Sequence, residues 1–193
     1  MKATFAGGQL RKIDNCYIEI LGTKIISRII PDISDTKSAT YTSEAGMGRS
    51  MPFKNYTNSD DRVIGWTAHY VVAQKEDIEF FLKEIKLIQS AVYPRMLVKE
   101  TAIVGTTAPF APPPICKLSC GALLQRGKPV GIKGETAFVH AVMKSYSIKY
   151  DTSVPWDEKY LLPYKFDIDM NFEVVYDQSE LPGQERILAG DIF

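Results

Sequence analysis

Apolar and polar residues alternate with a period of two over much of the chain, which predicts strands with one buried and one wet face. The clearest run spans residues 166–174. Phe166, Ile168, Met170, Phe172 and Val174 point one way, and Asp167, Asp169, Asn171 and Glu173 point the other. A second run spans 62–72, with Ile64, Trp66, Ala68, Tyr70 and Val72 on one side and Val63, Gly65, Thr67, His69 and Val71 on the other. A third spans 142–150, with Tyr146, Ile148 and Tyr150 opposed to Lys144, Ser145, Ser147 and Lys149. Shorter strands are expected at 16–21, 24–30, 96–104 and 115–124.

The period changes once. Between residues 75 and 92 the apolar residues Ile78, Phe81, Leu82, Ile85, Ile88 and Val92 recur every three or four positions, which predicts an amphipathic helix. Glu76, Asp77 and Glu79 sit where the helix dipole favours acids, and Pro94 stops the helix. About seven strands and one helix predict a mostly-β, antiparallel domain of sandwich or barrel type, with the helix covering part of a sheet.

Three stretches carry no clear period. Residues 34–61 are rich in serine and threonine and read as a long interaction loop. Residues 106–114 contain Pro109, Pro112, Pro113 and Pro114, a stiff extended connector. The C-terminal extension, 177–193, turns at Pro182-Gly183. It ends in Ile187, Leu188, Ile192 and Phe193, apolar residues expected to dock on the core or on a neighbour.

Composition narrows the field. A chain of 193 residues is long enough for one domain with its own core. Its 23 basic and 23 acidic residues leave no net charge for gripping phosphates. Cys16, Cys116 and Cys120 are odd in number and suggest a reducing compartment rather than a disulfide framework. No leader pattern or apolar run of spanning length is visible, so synthesis in a cytoplasm and no membrane partner are expected.

Candidate chemistry is sparse. His69 and His140 fall in expected strands without a local motif, and surface or core roles fit them best. Cys116 and Cys120 share a strand face, but no further ligands at metal spacing lie nearby. Gly46-Met47-Gly48-Arg49-Ser50 and Gly127-Lys128-Pro129-Val130-Gly131 match no phosphate-binding fingerprint and read as turns. Asp167, Asp169 and Glu173 form an acidic strand face. It reads as a solvated surface, with a metal or acid–base cluster and a specific electrostatic role as alternatives. Neither cofactor, metal nor catalytic residue is expected. Pro155-Trp156 and Leu162-Pro163 flank a short polar segment, read as a hairpin connection with Trp156 packed on the core.

The order of features between residues 112 and 181 resembles the tail-tube-type baseplate proteins of contractile-tailed bacteriophages. A proline run enters Ile115-Cys116-Lys117-Leu118, followed by Gly121-Ala122-Leu123-Leu124. Val142-Met143-Lys144-Ser145-Tyr146-Ser147-Ile148 precedes Val154-Pro155-Trp156-Asp157, then Leu162-Pro163 and the alternating strand through Tyr176. The helix ending Ser90-Ala91-Val92-Tyr93-Pro94 is similar to that family's helix before its proline-rich connector.

The resemblance implies a tube-type fold and a homohexameric ring, with neighbouring sheets joined into one inner barrel. It also implies a structural, non-enzymatic role in the virion, linking the baseplate hub and spike to the tail tube. Partners would be further copies, adjoining tube and hub proteins, and DNA passing transiently through the lumen during ejection. On that expectation Asp167, Asp169 and Glu173 face the lumen, Lys144 and Lys149 soften their repulsion of DNA if they share that face, and 34–61 and 177–193 make contacts between rings. The main tail tube protein is an alternative within this class. A small-ligand-binding β-barrel lined by Trp66, Trp156 and tyrosines, or an enzyme pairing His69 or His140 with Cys116 or Cys120, are alternatives outside it.

Overall fold

One-sided burial shapes most of the chain. The computed structural model describes residues 12–48, 51–96, 110–121, 123–124 and 138–176. Its strands are β1 (Cys16–Ile20), β2 (Thr23–Ile26), β3 (Asp32–Thr36), β4 (Ala39–Glu44), β5 (Phe53–Ser59), β6 (Val63–Val71), β7 (Arg95–Met96), β8 (Phe110–Ala111), β9 (Ile115–Cys120), β10 (Val139–Tyr150) and β11 (Lys165–Val174). The single helix among the described residues, α1, is Lys75–Ser90. Seven strands form one antiparallel sheet in the order β2-β1-β9-β10-β11-β6-β3. The mostly-β, antiparallel fold with one helix is therefore as expected.

The sheet's inner face and α1 share one core. Ile64, Trp66, Tyr70, Phe166, Ile168, Met170 and Phe172 pack with Ile78, Phe81, Ile85 and Ile88 of the helix. Tyr70 and Phe166 stack at 4.8 Å between ring centroids, and Phe81 meets Tyr70 edge-on at 5.1 Å. At the helix start the Gln74 amide donates to Asp77 Oδ2 at 3.2 Å, while Asp77 Oδ1 accepts from Arg28 at 2.8 Å. The acidic first turn thus anchors α1 to the chain just past β2.

Two local irregularities explain departures from simple alternation. In β10, Val139, Ala141 and Met143 face the core, whereas beyond Lys144 the inward side falls to Tyr146 and Ile148. A register shift between Met143 and Ser145 inserts Lys144 as an extra residue, and one unpaired residue reverses the parity of every side chain after it. The β1–β2 hairpin turns through Leu21 (φ 52°) and Gly22 (φ 79°). Two positive φ values in a two-residue loop match the right-handed twist of the flanking strands.

The reading of 34–61 as a loop is corrected. β3 pairs with β6 along its length, and β4 and β5 pair with each other as a separate antiparallel hairpin. Every residue of β4 and β5 is exposed. Its base is tied by Asp60, whose amide donates to Ser38 O at 2.9 Å and whose carboxylate accepts from the Ser38 hydroxyl. The proline-rich connector is likewise not wholly free, because β8 within it pairs with β7. Residues 97–104 of the expected strand, residues 106–109 of the connector, the Gly127–Gly131 turn and the extension 177–193 lie outside the described residues.

Candidate functional site

The polar face of the sheet gathers the candidate chemistry, and strand register determines which groups meet. Opposite Asp167 on β11 stands His69 of β6 on one side and Lys149 of β10 on the other. Opposite Asp169 stand Thr67 and Ser147, and opposite Asn171 stand Gly65 and Ser145. Edge strand β3 extends the face, with Asp32 opposite Thr67 and Ser34 opposite Gly65. Because directly opposed side chains on one face lie about 5 Å apart at Cβ, these groups are placed to bond across the strands.

The bonds form as follows. His69 Nδ1 lies 2.7 Å from Asp167 Oδ1, and its Nε2 lies 3.2 Å from Asp32 Oδ2. The Thr67 hydroxyl donates to Asp169 Oδ1 at 2.7 Å. Lys149 reaches Asp169 Oδ2 at 2.6 Å, and Lys144 reaches Glu173 at 2.7 Å. Asn171 donates to the Ser145 hydroxyl at 3.2 Å. Lys149 and Lys144, on the neighbouring strand, thus pair directly with Asp169 and Glu173.

The titration of this face follows from those contacts. His69 is pushed above its usual value, first by the hydrogen bond to Asp167 and then, more weakly, by Asp32. The Asp169 carboxyl is held below the usual carboxylate range by Lys149 and Thr67. The face is a network of compensated charges rather than a bare acidic wall. Among the described residues no group of three or more acids, histidines and cysteines is arranged to hold a metal ion.

The cysteines lie on the other side of the sheet. Cys16, Cys116 and Cys120 face the core, whereas His69 belongs to the polar face. His140 alternates with the inward-facing Val139 and Ala141 on β10 and pairs in register with Lys117, between Cys116 and Leu118 of the core. The sheet thus separates imidazoles from thiols, and no Cys–His pair is assembled from these residues. Trp66 is a core residue, 1% exposed, and the recess beside it measures about 20 Å³. That volume accommodates a single water.

The segment linking β10 to β11 departs from expectation. Trp156 is 39% exposed and bridges to Pro163, while Leu162 is buried in its place. The turn is organised by the buried Asp157, whose Oδ2 accepts from the amides of Lys159 (3.0 Å) and Tyr160 (2.8 Å). The Tyr160 hydroxyl then donates to Glu79 of α1 at 2.7 Å. Leu162 and Pro163 of the quoted motif pack inward; Pro155 and Trp156 do not.

One further ionisable site escaped sequence reading. Glu84 lies within the apolar stripe of α1 and is 8% exposed. Burial raises its carboxyl to about 7, opposed by nearby Arg28, Lys12 and Tyr70. Its only signal in the sequence is its spacing, one turn from Phe81 and Ile88.

Among the described residues no helix is long and apolar enough to cross a membrane. Compared with known proteins, the chain matches no family model and no curated protein sequence.

Proposed function

We propose that this chain is a structural subunit that joins further copies of itself into a closed ring of tail-tube type, in the baseplate region of a contractile phage tail. The observation that carries the reading is the sheet itself. One face packs on α1 and the core, the other is a charge-compensated polar wall, and among the described residues β2 and β3 end the sheet on either side. Unpaired edges invite another strand, and a heterologous edge contact that closes by rotation gives a ring without exposed edges.

In such a ring the polar face lines the lumen. Lys144, Lys149 and His69 balance Glu173, Asp169 and Asp167, so a passing duplex meets neither a phosphate-binding stripe nor strong repulsion. The β4–β5 hairpin, exposed throughout and carrying Tyr41, Phe53 and Tyr56 outward, serves as the contact to the next ring. The likeness in feature order over residues 112–181 supports the same role.

Mass measurement over a concentration series, with negative-stain images of the same samples, tests the reading. Six copies of 21.6 kDa give a particle of roughly 130 kDa with a central hole. Long stacked tubes identify a main tube protein, and rings that stack only on a template identify an adaptor. A monomer at every concentration, with or without baseplate hub components, overturns the proposal.

A further inference from the structure

Cys16 opens β1 and Cys120 closes β9, and the two are direct partners in the antiparallel register. The Gly121 amide donates to Asn15 O at 2.9 Å, while the Cys16 amide donates to Ile13 O and the Cys16 carbonyl accepts from Ser27. The Cys16–Cys120 rung is thus a non-hydrogen-bonded pair, the kind in which opposed Cα atoms approach to about 4.5 Å. That spacing falls within the range a disulfide spans. The side chains already meet: the sulfur atoms are 3.2 Å apart, with the Cys16 thiol donating to Cys120. Both are free thiols.

We propose that Cys16 and Cys120 are a dithiol site that oxidises to a cross-strand disulfide, clamping the β1–β2 edge hairpin onto β9. Closure needs no rearrangement of the strands, only rotation of the two side chains within one rung. Cys116 is excluded by register, since it lies four residues before Cys120 along β9, its thiol contacts Pro114 O at 3.8 Å, and it pairs across the sheet with Ala141.

The oxidant is a low-molecular-weight disulfide. Both thiols are buried, Cys120 at 7% exposure and Cys16 at 3%, and the hydrogen bond from Cys16 favours the Cys120 thiolate. The Cys120 thiolate attacks one sulfur of the small disulfide, breaking its S–S bond and expelling one small thiolate. Cys16 then loses its proton to solvent and attacks the Cys120 sulfur, forming the protein disulfide and expelling the second thiolate. The protein is oxidised by two electrons, and the small disulfide is reduced to two thiols. The site is independent of ring formation and stands or falls separately from it.

The test uses the full chain incubated with oxidised glutathione, alkylated, digested with trypsin under non-reducing conditions and mapped by mass. Cleavage at Lys12, Lys24, Lys117 and Arg126 places Cys16, Cys116 and Cys120 on three different peptides. The expected product links the Cys16 and Cys120 peptides, with Cys116 alkylated and the intact mass lower by about 2 Da. Its melting temperature rises relative to the reduced protein and returns on adding dithiothreitol. A Cys116→Ala variant gives the same link. The same reagent with denatured chain verifies that all three thiols react. Recovery of Cys16 and Cys120 both alkylated from the native protein, a glutathione adduct on Cys120 that never closes, or a link through Cys116 overturns the proposal.

Discussion

His69 Nδ1 sits 2.7 Å from Asp167 Oδ1, directly across the β6–β11 pairing, with Asp32 of the edge strand 3.2 Å from the second ring nitrogen. One imidazole therefore joins three adjacent strands of the polar face. Its raised pKa means that the folded state favours the protonated ring. The associated stability is fully present below the ordinary value of 6.5 and is lost as pH rises through the folded-state value. Titration of the His69 ring protons by NMR is expected to give a midpoint above 6.5, with His140→Gln used for assignment. Asp167→Asn lowers that midpoint more than Asp32→Asn. A wild-type midpoint at or below 6.5 contradicts this account of the face.

Glu84 makes a distinct pH prediction. Its carboxyl titrates at about 7 in the fold against 4.5 when unperturbed. Between those values the native state binds more protons than the unfolded chain, so stability falls as pH rises from 4.5 to about 7 and then levels. Glu84→Gln keeps the shape and removes the charge. Denaturant unfolding at pH 8 is expected to show the variant more stable by on the order of 2 kcal/mol, with little difference at pH 4. Equal effects at both pH values would show that burial of the charge is not the cause.

Gly65 lies directly beside the edge strand. A Cβ there collides with the hydroxyl of Ser34 on β3. Gly65→Ala therefore pushes against β3, with an expected loss of about 1–2 kcal/mol in unfolding experiments. Adding Ser34→Gly removes the colliding atom and is expected to recover part of that loss, a coupling visible in a double-mutant cycle. Additive losses would place the strain elsewhere.

Leu21 occupies a left-handed conformation at the β1–β2 turn while 48% exposed. Side chains other than glycine, asparagine and aspartate are disfavoured there. Leu21→Asn supplies the Asn-Gly pair that such turns prefer, and thermal melts are expected to show a gain of about 0.5–1 kcal/mol. A loss of stability would mean that Leu21 makes a contact worth more than the relief of its backbone.

Where one face of an element was buried, periodicity alone located it. The alternation at 166–174 became β11, the run at 62–72 became β6, and the three-to-four spacing after Lys75 became α1. The signal fails where both faces are wet. β4 and β5 are exposed on each side, so selection imposes no alternation on them. Only their threonines and tyrosines, residues that favour extended backbone, hinted at strands. β3 is short and turns a single apolar residue, Ile33, toward the core.

The sequence by itself determined the fold class, the acidic strand face at Asp167, Asp169 and Glu173, and the common face of Cys116 and Cys120, because each depends only on spacing within one element. Partnership was decided by the tertiary structure. Asp167 meets His69 across a separation of 98 residues, and Cys16 meets Cys120 across 104. Such pairs are set by strand order and register, which the alternation of a single strand does not encode. The bulge at Lys144 likewise depends on pairing: it exists only because β11 offers one residue fewer than β10 at that rung.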